Sequence, residues 1–396
     1  MPRPLSQQTI AVVKATVPAL EQHGPLITET MYRRLFRNED IAALFNQANQ
    51  TRGTQRLALA QAVLAYAQNI ENLSALGAAV ERIAQKHIGY AILPVHYPFV
   101  AEALLGAMEE VLGDAATPDI LQAWGEAYWF LADLLIEREA AIRTEIEAKP
   151  GGWTDWRRFV VVERQVEAEG IVSFILRPED GGFVVPHRPG QYLTLRFDEA
   201  GLPGVKRNYS ISSIPSDGGY RITVKREPNG EASCFLHDHA PVGTILEATP
   251  PAGDFHLAKD PQRPLILLSG GVGLTPVVSM LEVLAEQHRD VPVFYVHGTS
   301  SPAHHALDAQ VRLAASRHGN VLVETFYESG GDDRANSGRI TINWLRANTP
   351  LDDAEVYLCG PRPFLRHFVV GLKDVGIPAN RIHYEFFGPA DEHLAT

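Results

Sequence analysis

Hydrophobic residues fall at three- and four-residue spacings through the first 150 positions. Past Pro150-Gly151-Gly152 they gather instead into short β-branched and aromatic runs. A helical period and a strand pattern bury their apolar faces differently, so one core cannot serve both halves. With 396 residues the chain is long enough for two or three cores. Turn formers follow the same divide: residues 1–150 hold only 7 of the 32 Gly and 8 of the 27 Pro. Pro150-Gly151-Gly152 is the natural joint, and no internal repeat or low-complexity segment interrupts either side.

The front half reads as helices over Ser6–His23, Leu26–Arg37, Gln55–Ile70, Ala75–His87, His96–Leu112 and Thr117–Lys149. The last is the clearest. Thr117 suits the N-cap, Pro118 the first helical position, and Asp119 the positive end of the helix dipole. Its apolar stripe runs Leu121, Trp124, Tyr128, Leu131, Leu135, Ile142 and Ile146. From Trp156 six runs read as strands: Phe159–Val166, Ile171–Leu176, Tyr192–Phe197, Tyr209–Ile211, Tyr220–Lys225 and Thr244–Ala248. Turn clusters such as Arg188-Pro189-Gly190 separate them, as in a small antiparallel barrel. After Asp260, strands and helices alternate: strand Pro264–Leu268, helix Pro276–His288, strand Val291–Val296, helix Ala303–His318, strand Val321–Phe326, then strand Glu355–Leu358, helix Pro363–Val375 and strand Ile382–Phe386. That alternation predicts an open, doubly wound α/β sheet. The expected fold class is therefore multidomain: an all-α domain over 1–150, an antiparallel β-barrel over 151–260, and a doubly wound α/β domain over 261–396. Gly331–Ser337 is too irregular to assign.

Composition excludes several partners. The net charge of −12 divides into −5 over residues 1–150 and −7 beyond, so neither half offers a basic surface to nucleic acid or an anionic membrane. No apolar run reaches the length of a membrane span, and Met1–Ile10 lacks the features of a signal peptide. The two cysteines, Cys234 and Cys359, are far apart. They exclude a disulfide framework or an iron–sulfur cluster and suit a reducing cytoplasm, the expected location.

Four short pieces carry the chemistry of the back half: Arg207-Asn208-Tyr209-Ser210, Gly270-Gly271-Val272-Gly273-Leu274-Thr275-Pro276, Cys359-Gly360-Pro361, and Glu385-Phe386-Phe387-Gly388. The glycine loop follows a fully apolar strand and leads into a helix, with Thr275 placed to cap it and Pro276 at its first position. Backbone amides there can approach a pyrophosphate. The spacing is not G-x-G-x-x-G, however, and a purely structural turn accounts equally well for the loop taken alone. An arginine such as Arg207 can grip a flavin pyrophosphate, Tyr209 can lie against an isoalloxazine, and the Ser210 hydroxyl can reach a ring nitrogen. Lys225 closes a strand nearby, and Gly230 with Ser233 opens a short helix whose amides could hold a phosphate oxygen. Four such residues alone also suit an ordinary surface strand. Together and in this order, the motifs resemble the ferredoxin–NADP reductase superfamily over about 240 residues.

In the front half, Glu139 interrupts the apolar stripe of the last helix, and a carboxylate there is costly unless paired. His87 lies on an apolar face, four residues after Ile83, and Tyr97 follows shortly in the next helix. A histidine oriented by a carboxylate, with a tyrosine nearby, makes a strong iron ligand. Taken singly, His87 also reads as a satisfied core histidine and Glu139 as a helix-end residue reaching solvent. The segments Leu44-Phe45-Asn46, Gln55-Arg56, Tyr66-Ala67-Gln68-Asn69-Ile70, Ala84-Gln85-Lys86-His87 and Arg138-Glu139-Ala140, together with Tyr32, resemble a globin. The whole chain is similar to the flavohaemoglobins, the bacterial and fungal nitric oxide dioxygenases.

That resemblance implies roles for single residues. His87 would be the proximal haem ligand, oriented by Glu139 and Tyr97. Tyr32 and Gln55 would face dioxygen on the distal side, with Leu59 packing over the ligand and Phe45 clamping the haem. Lys86 and Glu385 match positions that tune the haem and flavin potentials. FAD would be held by Tyr192, Arg207, Asn208, Tyr209, Ser210, Lys225, Gly230, Ser233, Phe386, Phe387, Gly388 and Pro389. NAD(P)H would lie across Gly271, Val272, Gly273, Leu274, Thr275 and Pro276, with Cys359 and Gly360. His297–Pro302 shows no arginine ready for a 2′-phosphate, which leans towards NADH. The implied cofactors are one non-covalent haem b, since no C-x-x-C-H motif is present, and one FAD. The implied activity passes electrons from NAD(P)H through FAD to haem, where dioxygen and NO become nitrate. Alternatives are an NAD(P)H-driven haem oxidoreductase acting on O2 or on lipid or alkyl hydroperoxides, and an O2 or NO sensor. The implied partners are these small molecules, with a lipid in the haem pocket as a further candidate and no obligate protein partner.

Overall fold

A computed structural model describes residues 4–44, 54–72, 77–287, 290–331 and 335–387, the side chains of 54–58 and 78 excepted. The chain divides into two compact units, Met1–Ala148 and Lys149–Phe387. The first is helical: α1 (Gln7–Ala15), α2 (Val17–Leu35), α3 (Glu39–Ala42), α4 (Thr54–Gln68), α5 (Gly77–Gly89), α6 (Tyr97–Leu112) and α7 (Pro118–Glu147). Thr117 caps α7 as expected, its hydroxyl accepting from the Ile120 amide at 3.4 Å. One boundary differs from expectation. The break falls at Thr16, not at Gly24-Pro25, and α2 runs straight through Pro25. Thr16 donates to the Val13 carbonyl at 2.6 Å and accepts from Trp124 Nε1 at 3.1 Å, so the corner is pinned in the core. Meanwhile Leu20, Gly24, Ile27, Thr28, Met31, Tyr32 and Leu35 form one buried face of α2. Continuous burial of that face outweighs the local cost of proline.

The second unit holds two six-stranded sheets. The antiparallel one contains β1 (Arg157–Ala168), β2 (Ile171–Pro178), β3 (Tyr192–Arg196), β4 (Lys206–Ser210), β5 (Tyr220–Lys225) and β6 (Ile245–Ala248), in the order β4-β3-β6-β1-β2-β5. An isolated bridge from Ile211 to Ile222 brings the two ends together, so the sheet curls into a barrel around Phe159, Phe174, Leu193 and Phe197. A short helix, α8 (Glu231–His239), follows β5.

The parallel sheet contains β7 (Leu265–Gly270), β8 (Val293–Thr299), β9 (Val321–Tyr327), β10 (Asn336–Ser337), β11 (Glu355–Gly360) and β12 (Ile382–Phe386), in the order β10-β9-β8-β7-β11-β12. Helices α9 (Leu274–Gln287), α10 (Asp308–Ser316), α11 (Ile342–Asn348) and α12 (Arg362–Asp374) connect them. The stretch that sequence left unassigned contributes β10, a two-residue pairing with Phe326 and Tyr327. Helix α9 starts at Leu274, two residues before expectation, behind a 3₁₀ turn over Gly271–Gly273. Thr275 is thus inside the helix, and its hydroxyl donates to the Val272 carbonyl at 3.1 Å rather than capping. Among the described residues no single helix is long and apolar enough to cross a membrane.

Burial sets an acid limit on the second unit. Burial pushes the His187 imidazole down to about 3, and burial holds His297 well below its ordinary value. Both are neutral when folded and gain a proton on unfolding once the pH is below about 6.5. Stability is therefore full above that pH and falls on acidification, by about 1.4 kcal/mol per pH unit for each histidine. Urea unfolding between pH 7 and pH 5, followed by circular dichroism, should show this slope, and His187→Gln should flatten it by one proton. An unchanged slope in the variant would contradict the assignment.

Candidate haem, flavin and nicotinamide sites

In the helical unit, α5 carries His87 in its last turn, α6 begins with Tyr97, and α7 carries Glu139 more than two-thirds along its length. The three side chains meet. His87 Nδ1 lies 2.7 Å from Glu139 Oε1, and Tyr97 donates to the same oxygen at 2.6 Å. Tyr97 OH is also 3.0 Å from His87 Nδ1. Glu139 is 0% exposed, within a cluster formed by Ala84, Ile88, Ala132, Leu135 and Ile142. Its charge is supported by Arg143, one turn on, at 3.7 Å from Oε2. Burial, and then the bond to Glu139, raises the Tyr97 hydroxyl above its ordinary value, so it stays a donor. Tyr128 holds the Tyr97 backbone, donating to its carbonyl at 2.7 Å.

This geometry suits a haem. With Nδ1 committed to the carboxylate, His87 has Nε2 left to meet an iron, and the carboxylate fixes ring orientation and raises its basicity. Among the described residues no group of three His, Cys, Asp or Glu could hold a bare metal ion. Tyr32 is buried on α2 with its ring 5.4 Å from Phe36. Leu59 is half-buried on α4 and packs against the same core. Lys86 is half-buried beside His87. Phe45 and the Gln55 side chain lie outside the described residues.

In the barrel, β3 and β4 set Tyr192 opposite Ser210, and Leu195 opposite Arg207. Arg207 and Tyr209 share one face of β4, Asn208 and Ser210 the other. The Arg207 guanidinium reaches the start of α8, 3.9 Å from Glu231. Gly230 is the N-cap of that helix and leaves its first turn without a side-chain cap, so cation and helix start converge on one place an anion would occupy. The Ser233 hydroxyl is used within the loop, accepting from the Glu227 amide and donating to the Gly230 carbonyl, both at 3.2 Å. Lys225 is exposed and paired with Glu227 at 3.0 Å.

Register assembles the other three motifs. Ser269 of β7 lies opposite Cys359 of β11, which lies opposite Glu385 of β12, and Gly360 lies opposite Phe386. All sit at the carboxyl ends of parallel strands, where open α/β sheets bind ligands. Gly273 packs so closely on β11 that a Cβ would overlap the Cys359 carbonyl and stand 2.6 Å from Gly360 Cα. Gly271, at φ +54, faces open space, which leaves its amide approachable. Burial, and then the neighbouring Glu385, raises the Cys359 thiol well above its ordinary value, so it stays protonated. Phe386 is half-buried and Phe387 is 45% exposed; Gly388 and Pro389 lie outside the described residues. His297, the first residue of the segment that lacks an arginine for a 2′-phosphate, is fully buried, with Nδ1 2.9 Å from Ser269 Oγ. Ser269 comes directly before the glycine loop, a link that sequence separation conceals.

A helical unit with a buried His–Glu–Tyr triad, in one chain with a barrel and an open parallel sheet, defines a haem protein with its own reductase. Residues 28–135 match the globin family, 158–257 the oxidoreductase FAD-binding domain, and 267–369 the oxidoreductase NAD-binding domain. The flavohemoprotein of Xylella fastidiosa (strain 9a5c) is 60% identical over 392 residues, 99% of each chain. That of Bordetella pertussis is 43% identical over 397 residues, 97% of this chain and 98% of the relative. A crystal structure of flavohemoglobin from Malassezia yamatoensis with bound FAD and heme has a TM-score of 0.86 at 30% identity, over 97% of this chain and all of that one. The FAD/NAD-binding domain of nitric oxide dioxygenase from Vibrio cholerae aligns with a TM-score of 0.53 at 33% identity, over 61% of this chain and all of that one. The chain belongs to the flavohemoproteins, which are NAD(P)H-driven haem oxidoreductases.

The contrast between two glycines tests the nicotinamide site. Gly273→Ala forces backbone apart at β11 and should cost about 1–3 kcal/mol, with weakened NADH binding. Gly271→Ala meets no atom and should cost only the left-handed backbone, about 1–2 kcal/mol. Thermal melts and NADH titration of both variants check this; wild-type stability and affinity in Gly273→Ala would contradict the packing argument.

Proposed function

We propose that the protein is a nitric oxide dioxygenase carrying one haem b and one FAD and using NADH, which converts NO and O2 to nitrate. The observation that carries this reading is the buried His87–Glu139–Tyr97 triad. A carboxylate bonded to the proximal imidazole makes it a stronger electron donor to iron, which favours oxygen activation over storage. When bound, the cofactors supply hydride acceptance, single-electron transfer and oxygen chemistry; the chain supplies binding, orientation and electrostatics.

In this reading His87 presents Nε2 to the iron, Glu139 holds the Nδ1 proton, and Tyr97 fixes the carboxylate. Tyr32 and Gln55 form the polar side of the distal pocket, closed by Leu59 and Phe45. Arg207 and the start of α8 at Gly230 take the flavin pyrophosphate, with Lys225 and Ser233 at its edge. Tyr192, Asn208, Tyr209 and Ser210 line the ring, and Phe386, Phe387, Gly388 and Pro389 close over it. Gly271–Pro276 and Cys359-Gly360 receive the nicotinamide nucleotide. Lys86 and Glu385 set local charge beside the haem ligand and the flavin. The domains divide at 150 and 260, and the protein works in the cytoplasm on small molecules alone. A sensor reading is disfavoured because the chain carries its own reductase.

Tyr32→Phe tests the distal assignment. A hydrogen bond to a charge-bearing partner is worth roughly 1.5–3 kcal/mol, so its loss should raise the oxygen off-rate by about one to two orders of magnitude. NO consumption should slow while flavin reduction by NADH stays unchanged. Nitrate formed per NADH, with and without NO, separates a dioxygenase from a reductase acting on O2 or hydroperoxides. Equal off-rates in wild type and variant would make Tyr32 a core residue only.

A further inference from the structure

The second unit buries a polar network that neither cofactor motif uses. It joins Ser212 and Ser213, just past the flavin motif, to helices α9 and α10. Ser279, on α9 and fully buried, donates to the Ser213 carbonyl at 2.7 Å. His187 Nε2, 3.1 Å from the same hydroxyl, completes the chain His187 to Ser279 to Ser213. A second chain runs beside it. Arg221 of β5 donates to the Ser212 carbonyl, and its Nε donates to the Ser212 hydroxyl at 3.1 Å. The same guanidinium donates to Gln310 Oε1 of α10 at 2.6 Å, and Gln310 Nε2 donates to Glu282 Oε1 of α9 at 2.5 Å. Burial holds the Glu282 carboxyl above its ordinary value, while Gln310, Arg221 and the Ile214 amide oppose that shift.

Ser279 and Glu282 are three residues apart and so share one face of α9. The same helix begins at Leu274, in the nicotinamide loop. One rigid element thus carries the proposed nicotinamide site at its start and holds the flavin segment directly through Ser279, and through Glu282 by way of Gln310 and Arg221. Buried ionic groups seldom add net stability compared with apolar packing, so their presence favours a role in fixing geometry.

We propose that Ser279, Glu282, Gln310 and Arg221 form a latch that sets the position of the nicotinamide ring against the flavin ring. They are positioning residues, none of which belongs to the flavin or nicotinamide motifs. The inference rests on the reductase reading above. The step served moves one hydride, two electrons with one proton, from the dihydronicotinamide to the flavin, oxidising the first and reducing the second. Its rate depends steeply on approach geometry, and a misplacement of about 1 Å can cost on the order of a hundredfold.

The test is anaerobic stopped-flow reduction of the full-length holoprotein by NADH, monitored at the flavin band. Ser279→Ala and Gln310→Leu each cut one chain. Each should slow flavin reduction at saturating NADH by about tenfold or more, while the NADH dissociation constant changes by less than about threefold. FAD content and CO binding by dithionite-reduced haem should be unchanged, and Ser279→Thr, which keeps the hydroxyl, should recover most of the rate. A lowered melting temperature with a wild-type reduction rate in both variants would overturn the latch and leave only structural glue. Failure of the wild type itself to bleach with NADH would instead refute the reductase reading.

Discussion

The helical unit depends on a carboxylate sealed inside it. Glu139 lies fully buried among alanine and aliphatic side chains, and its charge is tolerable only because His87, Tyr97 and Arg143 converge on it. Removing one partner from such a buried pair typically costs about 3–5 kcal/mol. Helices α5, α6 and α7 must therefore pack so that their three polar residues meet at one point, and this same packing aims the free imidazole nitrogen. Stability and the orientation of the His87 ring share a cause.

In the second unit strand register does comparable work. Parallel pairing puts Ser269, Cys359 and Glu385 in one row across β7, β11 and β12, although they come from three distant parts of the chain. The glycine loop then has to pass so close to β11 that only glycine fits at Gly273. The loop's shape follows from that contact, and Gly271 beside it faces open space. Beneath it, α9 reaches back to the flavin segment directly through Ser279 and, by way of Gln310 and Arg221, through Glu282, so neither half of this unit can shift without disturbing the other.

Much of this was legible in sequence because the relevant patterns are local. Glu139 stood out as a charge in an apolar stripe, and Thr117 as a cap before proline. The strands, though not all their ends, came from β-branched runs: β4 begins at Lys206, three residues before the expected Tyr209–Ile211. Local reading failed where tertiary contacts overrule it. Gly24-Pro25 has the signature of a helix break, but the buried face of α2 carries the helix through it, and the corner falls at Thr16, which Trp124 pins from over a hundred residues away. Thr275 resembles a cap but follows a 3₁₀ turn that starts the helix earlier. The latch of Arg221, Ser279 and Gln310 leaves no sequence signal at all, since its members are common polar residues brought together only by the fold.

The central claim is that one chain takes a hydride and hands single electrons to a haem. Anaerobic mixing of the purified protein with NADH under carbon monoxide tests this most directly. The account predicts bleaching of the flavin band, followed in the same sample by growth of the ferrous haem–CO Soret band without any added mediator. Flavin bleaching with the haem left ferric, or a protein that binds only one of the two cofactors, would contradict it.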